Sequence, residues 1–78
     1  MSITVRLFAG VKEKAGVPSL EVESSTIGAL RPALAVACPA IQPQLAPCRF
    51  ALNDEFVDDD TQLPVGATVD LIPPVSGG

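Results

Sequence analysis

Proline punctuation constrains this chain more than any other feature. Eight prolines stand at positions 18, 32, 39, 43, 47, 64, 73 and 74. Each fixes φ near −65°, withholds a backbone N–H and pushes the residue before it out of the helical region. That spacing rules out long helices, and it stops any central strand at Pro64 or at Pro73. What remains is a set of short elements joined by stiff connections. With 78 residues the chain buries only about 60% of the surface it exposes when unfolded. The elements therefore share one modest core, with little room for a deep substrate pocket.

Between the prolines, two periodicities take turns. Ile3, Val5 and Leu7 fall to one side and Thr4, Arg6 and Phe8 to the other, the period-two signature of a strand with its first face toward the core. Ala9 to Gly16 reads as a connection holding one helical turn, closed by Gly16 and Pro18. Leu20 and Val22 alternate with Glu21 and Glu23, which predicts a second strand paired with the first as a hairpin. Ser24-Ser25-Thr26 supplies capping hydroxyls, and Ile27, Leu30, Leu34 and Cys38 recur at helical spacing. Pro32 is the awkward residue of that helix, since it deletes one hydrogen bond and collides with the carbonyl of Gly28. Either the first turn is irregular or the helix starts nearer Leu30, and Cys38-Pro39 ends it.

The second half is strand-rich. Ala40 to Pro47 reads as a connection in which Ile41 and Leu45 form at most one helical turn over the core. Arg49-Phe50-Ala51-Leu52 predicts a strand, Asn53-Asp54-Glu55 a turn, and Phe56-Val57 a short return strand. Leu63-Pro64-Val65-Gly66 turns again before the last strand, Thr68 to Ile72. Two strands, a helix and three strands suit an α+β fold, one main helix packed across a single face of a sheet. The domain is expected to span 1–72, with a flexible functional tail at 73–78.

Charge and cysteine usage exclude several functions. A net charge of −4, with no basic cluster beyond Lys12 and Lys14, opposes nucleic acid and anionic membrane. No apolar run is long enough to span a bilayer, and the N-terminus lacks a basic segment followed by an apolar one, so a cytoplasmic location is expected. Cys38 and Cys48 are too few for a secreted disulfide framework, and with no histidine they cannot complete a usual zinc site. Both read as core residues, Cys38 the more so because it lies on the apolar helix stripe. Asp54, Glu55, Asp58, Asp59 and Asp60 form the densest charge group, but three consecutive aspartates cannot all face one ion, so a solvated turn is expected. There is no phosphate-binding glycine loop, no Ser-His-Asp set and no metal-ligand cluster.

The chemistry then falls to Pro73-Pro74-Val75-Ser76-Gly77-Gly78. The prolines make a stiff exit. Ser76, Gly77 and Gly78 make a narrow peg around which another protein's walls can close. At full extension the segment reaches roughly 15 to 20 Å. The plainer reading is an ordinary frayed chain end. Against it stand two terminal glycines, which arise by chance in roughly one chain in 200, behind the rigid Pro73-Pro74. The carboxyl group of Gly78 is ionised at neutral pH with a pKa of about 3.3 to 3.7 and unreactive until activated. An acyl phosphate would make it an electrophile, and replacing one oxygen by sulfur would make it a soft sulfur donor. The residues permit either use.

The chain resembles the small sulfur-carrier subunit of molybdopterin synthase, the MoaD type, nearly end to end. The resemblance rests on Phe8-Ala9, Val11-Lys12-Glu13, Ala15-Gly16, Thr26-Ile27 with Leu30 and Leu34, Leu52 to Val57, Asp60-Thr61, Leu63, Gly66, Val69 and the ending Ile72 to Gly78. The ending is the most specific part. Lys12 where that family usually has arginine, Ala67 where an acidic residue commonly stands, and Pro32 in the helix are departures.

The resemblance implies a ubiquitin-like β-grasp fold, a mixed sheet with an extended Gly-Gly tail. It implies no catalytic centre of its own and no bound cofactor or metal. Gly78 would be adenylated with ATP by a ubiquitin-activating-like enzyme of the MoeB type, then converted to a thiocarboxylate by a sulfur donor protein. The tail, Pro73, Pro74, Val75, Ser76 and Gly77, would enter the large catalytic subunit, of the MoaE type, and give sulfur to cyclic pyranopterin monophosphate in molybdenum cofactor biosynthesis. Phe8, Phe56 and Ile72, with Lys12 beside them, would form the partner interface. Phe8 and Ile72 sit opposite the core-facing residues of their strands, as an exposed binding patch requires. A carrier for thiazole or another sulfur-containing product, a ubiquitin-like protein modifier and a plain interaction module remain open beside it.

Overall fold

The computed structural model describes residues 2–74. The elements run β1 (Ser2–Leu7), α1 (Ala9–Ala15), β2 (Ser19–Glu23), α2 (Ile27–Ala37), a 3-10 turn (Pro39–Ile41), α3 (Gln42–Leu45), β3 (Arg49–Leu52), β4 (Glu55–Val57) and β5 (Thr68–Ile72). The strands form one five-stranded sheet in the order β2-β1-β5-β3-β4. β1 and β5 run parallel at its centre, with Val5 beside Val69 and Leu7 beside Leu71. The other three pairings are antiparallel. This is the expected mixed α+β sheet of the β-grasp type, with α2 as its main helix.

Alternation decides which face is covered. Ile3, Val5, Leu7, Val22, Phe50, Val69 and Leu71 point to the helix side and are buried there with Ile27, Leu30 and Leu34 of α2. No polar or charged residue is buried among them. Burial of a Val, Leu, Ile or Phe side chain is worth about 1.5–3 kcal/mol, so this layer is the main source of stability in so small a chain.

α2 begins at Ile27, not nearer Leu30, and Pro32 lies inside it. The start is fixed because its first three N–H groups all have partners. Ile27 N–H donates to the Thr61 carbonyl at 3.0 Å and Gly28 N–H to the Asp59 carbonyl at 2.9 Å. Ala29 N–H donates to Thr26 Oγ1 at 3.3 Å, so Thr26 is the N-cap. The loop before β5 thus caps the helix through its backbone while Asp58, Asp59 and Asp60 stay exposed. Gly28 suits this close approach: a Cβ would stand 3.2 Å from both the Cβ and the carbonyl oxygen of Asp59, so the loop would have to give way slightly to accept one.

Two connections are more regular than the sequence predicts. The segment expected to hold one turn is the seven-residue helix α1, pinned by buried Val11 and closed by Gly16 at φ 78°. The connection after α2 is a 3-10 turn running into α3, with Ile41 and Leu45 buried. Arg31 ties this roof to α2, its Nη1 donating to the Leu45 carbonyl at 2.6 Å. The cysteines reverse their expected order. Cys48 is the buried one, its thiol donating to the Gln44 carbonyl at 3.0 Å. Cys38 caps the end of α2 and is only half-buried, because the helix stops one residue before it.

Candidate functional site

β5 hands the chain over to the tail at Ile72. Pro73 is half-buried and Pro74 exposed, and neither can extend the ladder. Val75, Ser76, Gly77 and Gly78, on which the carrier reading depends, lie outside the described residues. What can be placed is the root of the tail and the surface around it.

Register sets that surface. β1 and β5 are parallel, so their C-terminal ends lie together. β3 runs against β5 and puts Arg49 opposite Ile72. The β3–β4 hairpin turns on Asn53 and Asp54, both left-handed at φ 54° and 68°, a two-residue primed turn that Asn and Asp tolerate. It pairs Ala51 with Phe56, which brings Phe56 onto the outer face, across β3 from Ile72. Pro47, Arg49, Phe56, Ile72, Pro73 and Pro74 line one groove.

The predicted interface residues are therefore only partly assembled. Phe56 is 54% exposed and lines the groove together with Ile72. Phe8, 37% exposed, follows Leu7 just as Ile72 follows Leu71, at the same end of the sheet. Ala9 takes φ 51°, a left-handed turn costing an L-residue about 1–2 kcal/mol, and α1 starts at once. Lys12 rides on α1 and is exposed, in a separate shallow depression with Glu13, Gly16, Val17 and Pro18.

Two arginines dress the outer face, and sequence reasoning gave neither a role. Arg6 forms a two-pronged ion pair with Asp70 across β1 and β5, Nε to Oδ1 at 2.6 Å and Nη2 to Oδ2 at 2.9 Å. That hydrogen bonding, with the Asp70 charge, pushes the Arg6 pKa up, which favours the charged guanidinium. The Arg49 guanidinium lies 4.0 Å from the centre of the Phe56 ring. The hairpin register is the signal that finds it: a two-residue turn at Asn53-Asp54 puts residues 49 and 56 on one face, diagonal neighbours.

On the other side of the tail root, Gly10, Pro43, Gln44, Cys48, Pro73 and Pro74 border a second cleft. Burial pushes the Cys48 thiol pKa up, which disfavours the nucleophilic thiolate. Among the described residues no three His, Cys, Asp or Glu side chains are grouped to hold a metal ion. Nor is any helix among them long and apolar enough to cross a membrane.

Comparison with known proteins gives a consistent answer. The model of the ThiS family matches residues 5–78. A molybdopterin synthase sulfur carrier subunit from Chlamydomonas reinhardtii is 39% identical over 83 residues, covering 100% of both chains. Among solved structures, SAMP1 of Haloferax volcanii, a small archaeal modifier protein, superposes with a TM-score of 0.87 at 28% identity over 100% of each chain. Subunits 1 and 2 of the molybdopterin-converting factor of Helicobacter pylori have been solved as a protein–protein complex. A chain of that complex matches with a TM-score of 0.73 at 32% identity, again over 100% of each chain.

Proposed function

The chain belongs to the ThiS family, and from that premise we propose that it is the sulfur-carrier subunit of a molybdopterin synthase. The observation that carries this reading is the 39% identity, across both whole chains, to the Chlamydomonas reinhardtii carrier subunit. The ending Ile72 to Gly78, mounted at the end of a central strand, agrees with it.

The work is done by the acyl group of Gly78. Its carboxylate oxygen attacks the α-phosphate of ATP in an activating enzyme, pyrophosphate leaves, and a mixed anhydride with AMP forms. A sulfide equivalent from a donor protein then adds to the carbonyl carbon and expels AMP, leaving a thiocarboxylate. The large subunit takes the tail and supplies the catalytic side chains, and sulfur passes to the pterin precursor. This chain contributes reach, a stiff root at Pro73-Pro74 and a docking face on the outer side of the sheet. Phe8, Phe56 and Ile72 belong to that face, and Lys12, in its own depression on α1, adds a separate contact.

The test is intact mass after incubation with the activating enzyme, ATP and a sulfur source. The expected result is a rise equal to the exchange of one oxygen for sulfur, abolished by deleting Gly78 while the thermal unfolding curve stays put. The likeness to SAMP1 supports a second reading, a modifier joined to lysines through isopeptide bonds. A ladder of conjugates without the sulfur exchange would favour it and reject the first.

A further inference from the structure

We infer that Arg49 is the contact by which this docking face chooses its partner, and that its counterpart is a carboxylate side chain of the large subunit. The inference rests on the reading just proposed and names the partner chemistry at that site. Arg49 is exposed and stands at the rim of the groove that holds Phe56, Ile72 and both tail-root prolines. A protein that swallows the tail covers that groove.

The two outer-face arginines differ in what they have left to offer. Arg6 is already neutralised by Asp70. Arg49 forms no ion pair among the described residues, and its one recorded partner is the Phe56 ring. An aromatic face attracts the guanidinium without cancelling its charge. Stacking also holds the planar fork in place, so little freedom remains to be lost when a carboxylate meets it. Its strand position opposite Ile72 and its contact with Phe56 keep it within the patch. Arg49 also borders a depression lined by Asp58, Asp59 and Asp60 but forms an ion pair with none of them, so closing the groove over its guanidinium is unfavourable unless the covering surface brings an anion close to it. On a chain of net charge −4, such a cation also discriminates against basic surfaces that the other charges would attract.

The experiment measures the dissociation constant of the full chain with the large subunit, from low to high salt. The variants are Arg49→Ala, Arg49→Gln, Arg49→Lys and, as a control on the face itself, Phe56→Asp. Arg49→Ala and Arg49→Gln are expected to bind on the order of thirtyfold more weakly, with a flatter dependence on salt. Arg49→Lys keeps the salt dependence and loses part of the affinity. If Arg49→Gln matches the parent while Phe56→Asp abolishes binding, the role of Arg49 is overturned and the docking reading stands. If Phe56→Asp also binds normally, the docking reading itself falls. Should Arg49→Gln change the sedimentation of the isolated chain, the guanidinium serves contacts between copies, and the inference is overturned.

Discussion

The two faces of the sheet are written by the same strands, one residue out of step. On the helix side, Val5, Leu7, Phe50, Val69 and Leu71 are buried. On the other side, Arg6, Arg49, Phe56, Asp70 and Ile72 are exposed or half-buried. The inner face binds only the chain's own helices, so its residues need shape and nothing polar. The outer face carries aromatic rings, an ion pair between Arg6 and Asp70 and a guanidinium, that of Arg49, stacked on a ring without an ion pair, features that do little for folding and suit recognition. In a chain too small for separate domains, period two lets a single strand serve both ends. Stability and recognition can therefore be perturbed independently by neighbouring or cross-strand substitutions.

The largest expected effect breaks the comparison at its aromatic pair. Phe50 is buried and Phe56 is 54% exposed, on strands paired in one hairpin. Phe50→Ala should lose about 3–5 kcal/mol, a large share of the roughly 4–12 kcal/mol expected for a domain of this length. Phe56→Ala should lose less than about 1 kcal/mol, most of it the stacked Arg49. Urea unfolding followed by circular dichroism measures both. Equal losses would mean that the outer face is a second core.

A smaller effect, opposite in sign, comes from the supporting layer. Pro32 is exposed inside α2 and leaves the Gly28 carbonyl without its helical donor. Replacing an interior proline by alanine recovers about 3 kcal/mol of helix propensity, less roughly 1 kcal/mol for the greater freedom of the unfolded chain. Pro32→Ala should therefore stabilise by about 2 kcal/mol, seen as a higher Tm, with affinity for the large subunit unchanged. A change in affinity would mean that the two faces communicate.

Those strands and faces were legible because alternation is a local signal. Ile3 to Leu7 and Thr68 to Ile72 announce their own inward sides. The turn at Asn53-Asp54 was legible from residue type, and the outward side of Phe8 and Ile72 from alternation, whereas grouping them with Phe56 as an interface came from the resemblance alone. What stayed hidden is non-local. α1 has one buried residue, Val11, too few to show a periodicity, and it is held by docking instead. The start of α2 despite Pro32 depends on carbonyls of Asp59 and Thr61, some thirty residues on. Cys48 looked less like core than Cys38 because its burial comes from the roof formed by α3. Arg49 had no meaning until register placed Phe56 beneath it.

The smallest expected effect asks whether the inner face stays dry up to the rim where the tail departs. Cys48 sits at that rim, buried, beside the cleft under Pro73 and Pro74. Burial raises its pKa above the ordinary thiol value of 9.0, and the nearby Arg31 charge opposes the shift without cancelling it. The folded chain therefore holds the thiol proton more tightly than the unfolded one. Its contribution to stability is complete below pH 9.0 and is lost as pH climbs through the folded-state pKa, because there the unfolded state binds fewer protons. Unfolding free energies measured at stepped alkaline pH should fall more steeply for the parent than for Cys48→Ala, whose lower starting stability leaves the comparison of slopes intact. Parallel slopes would show that water already reaches the sulfur, and that the boundary between the packed face and the working end of the molecule lies deeper than Cys48.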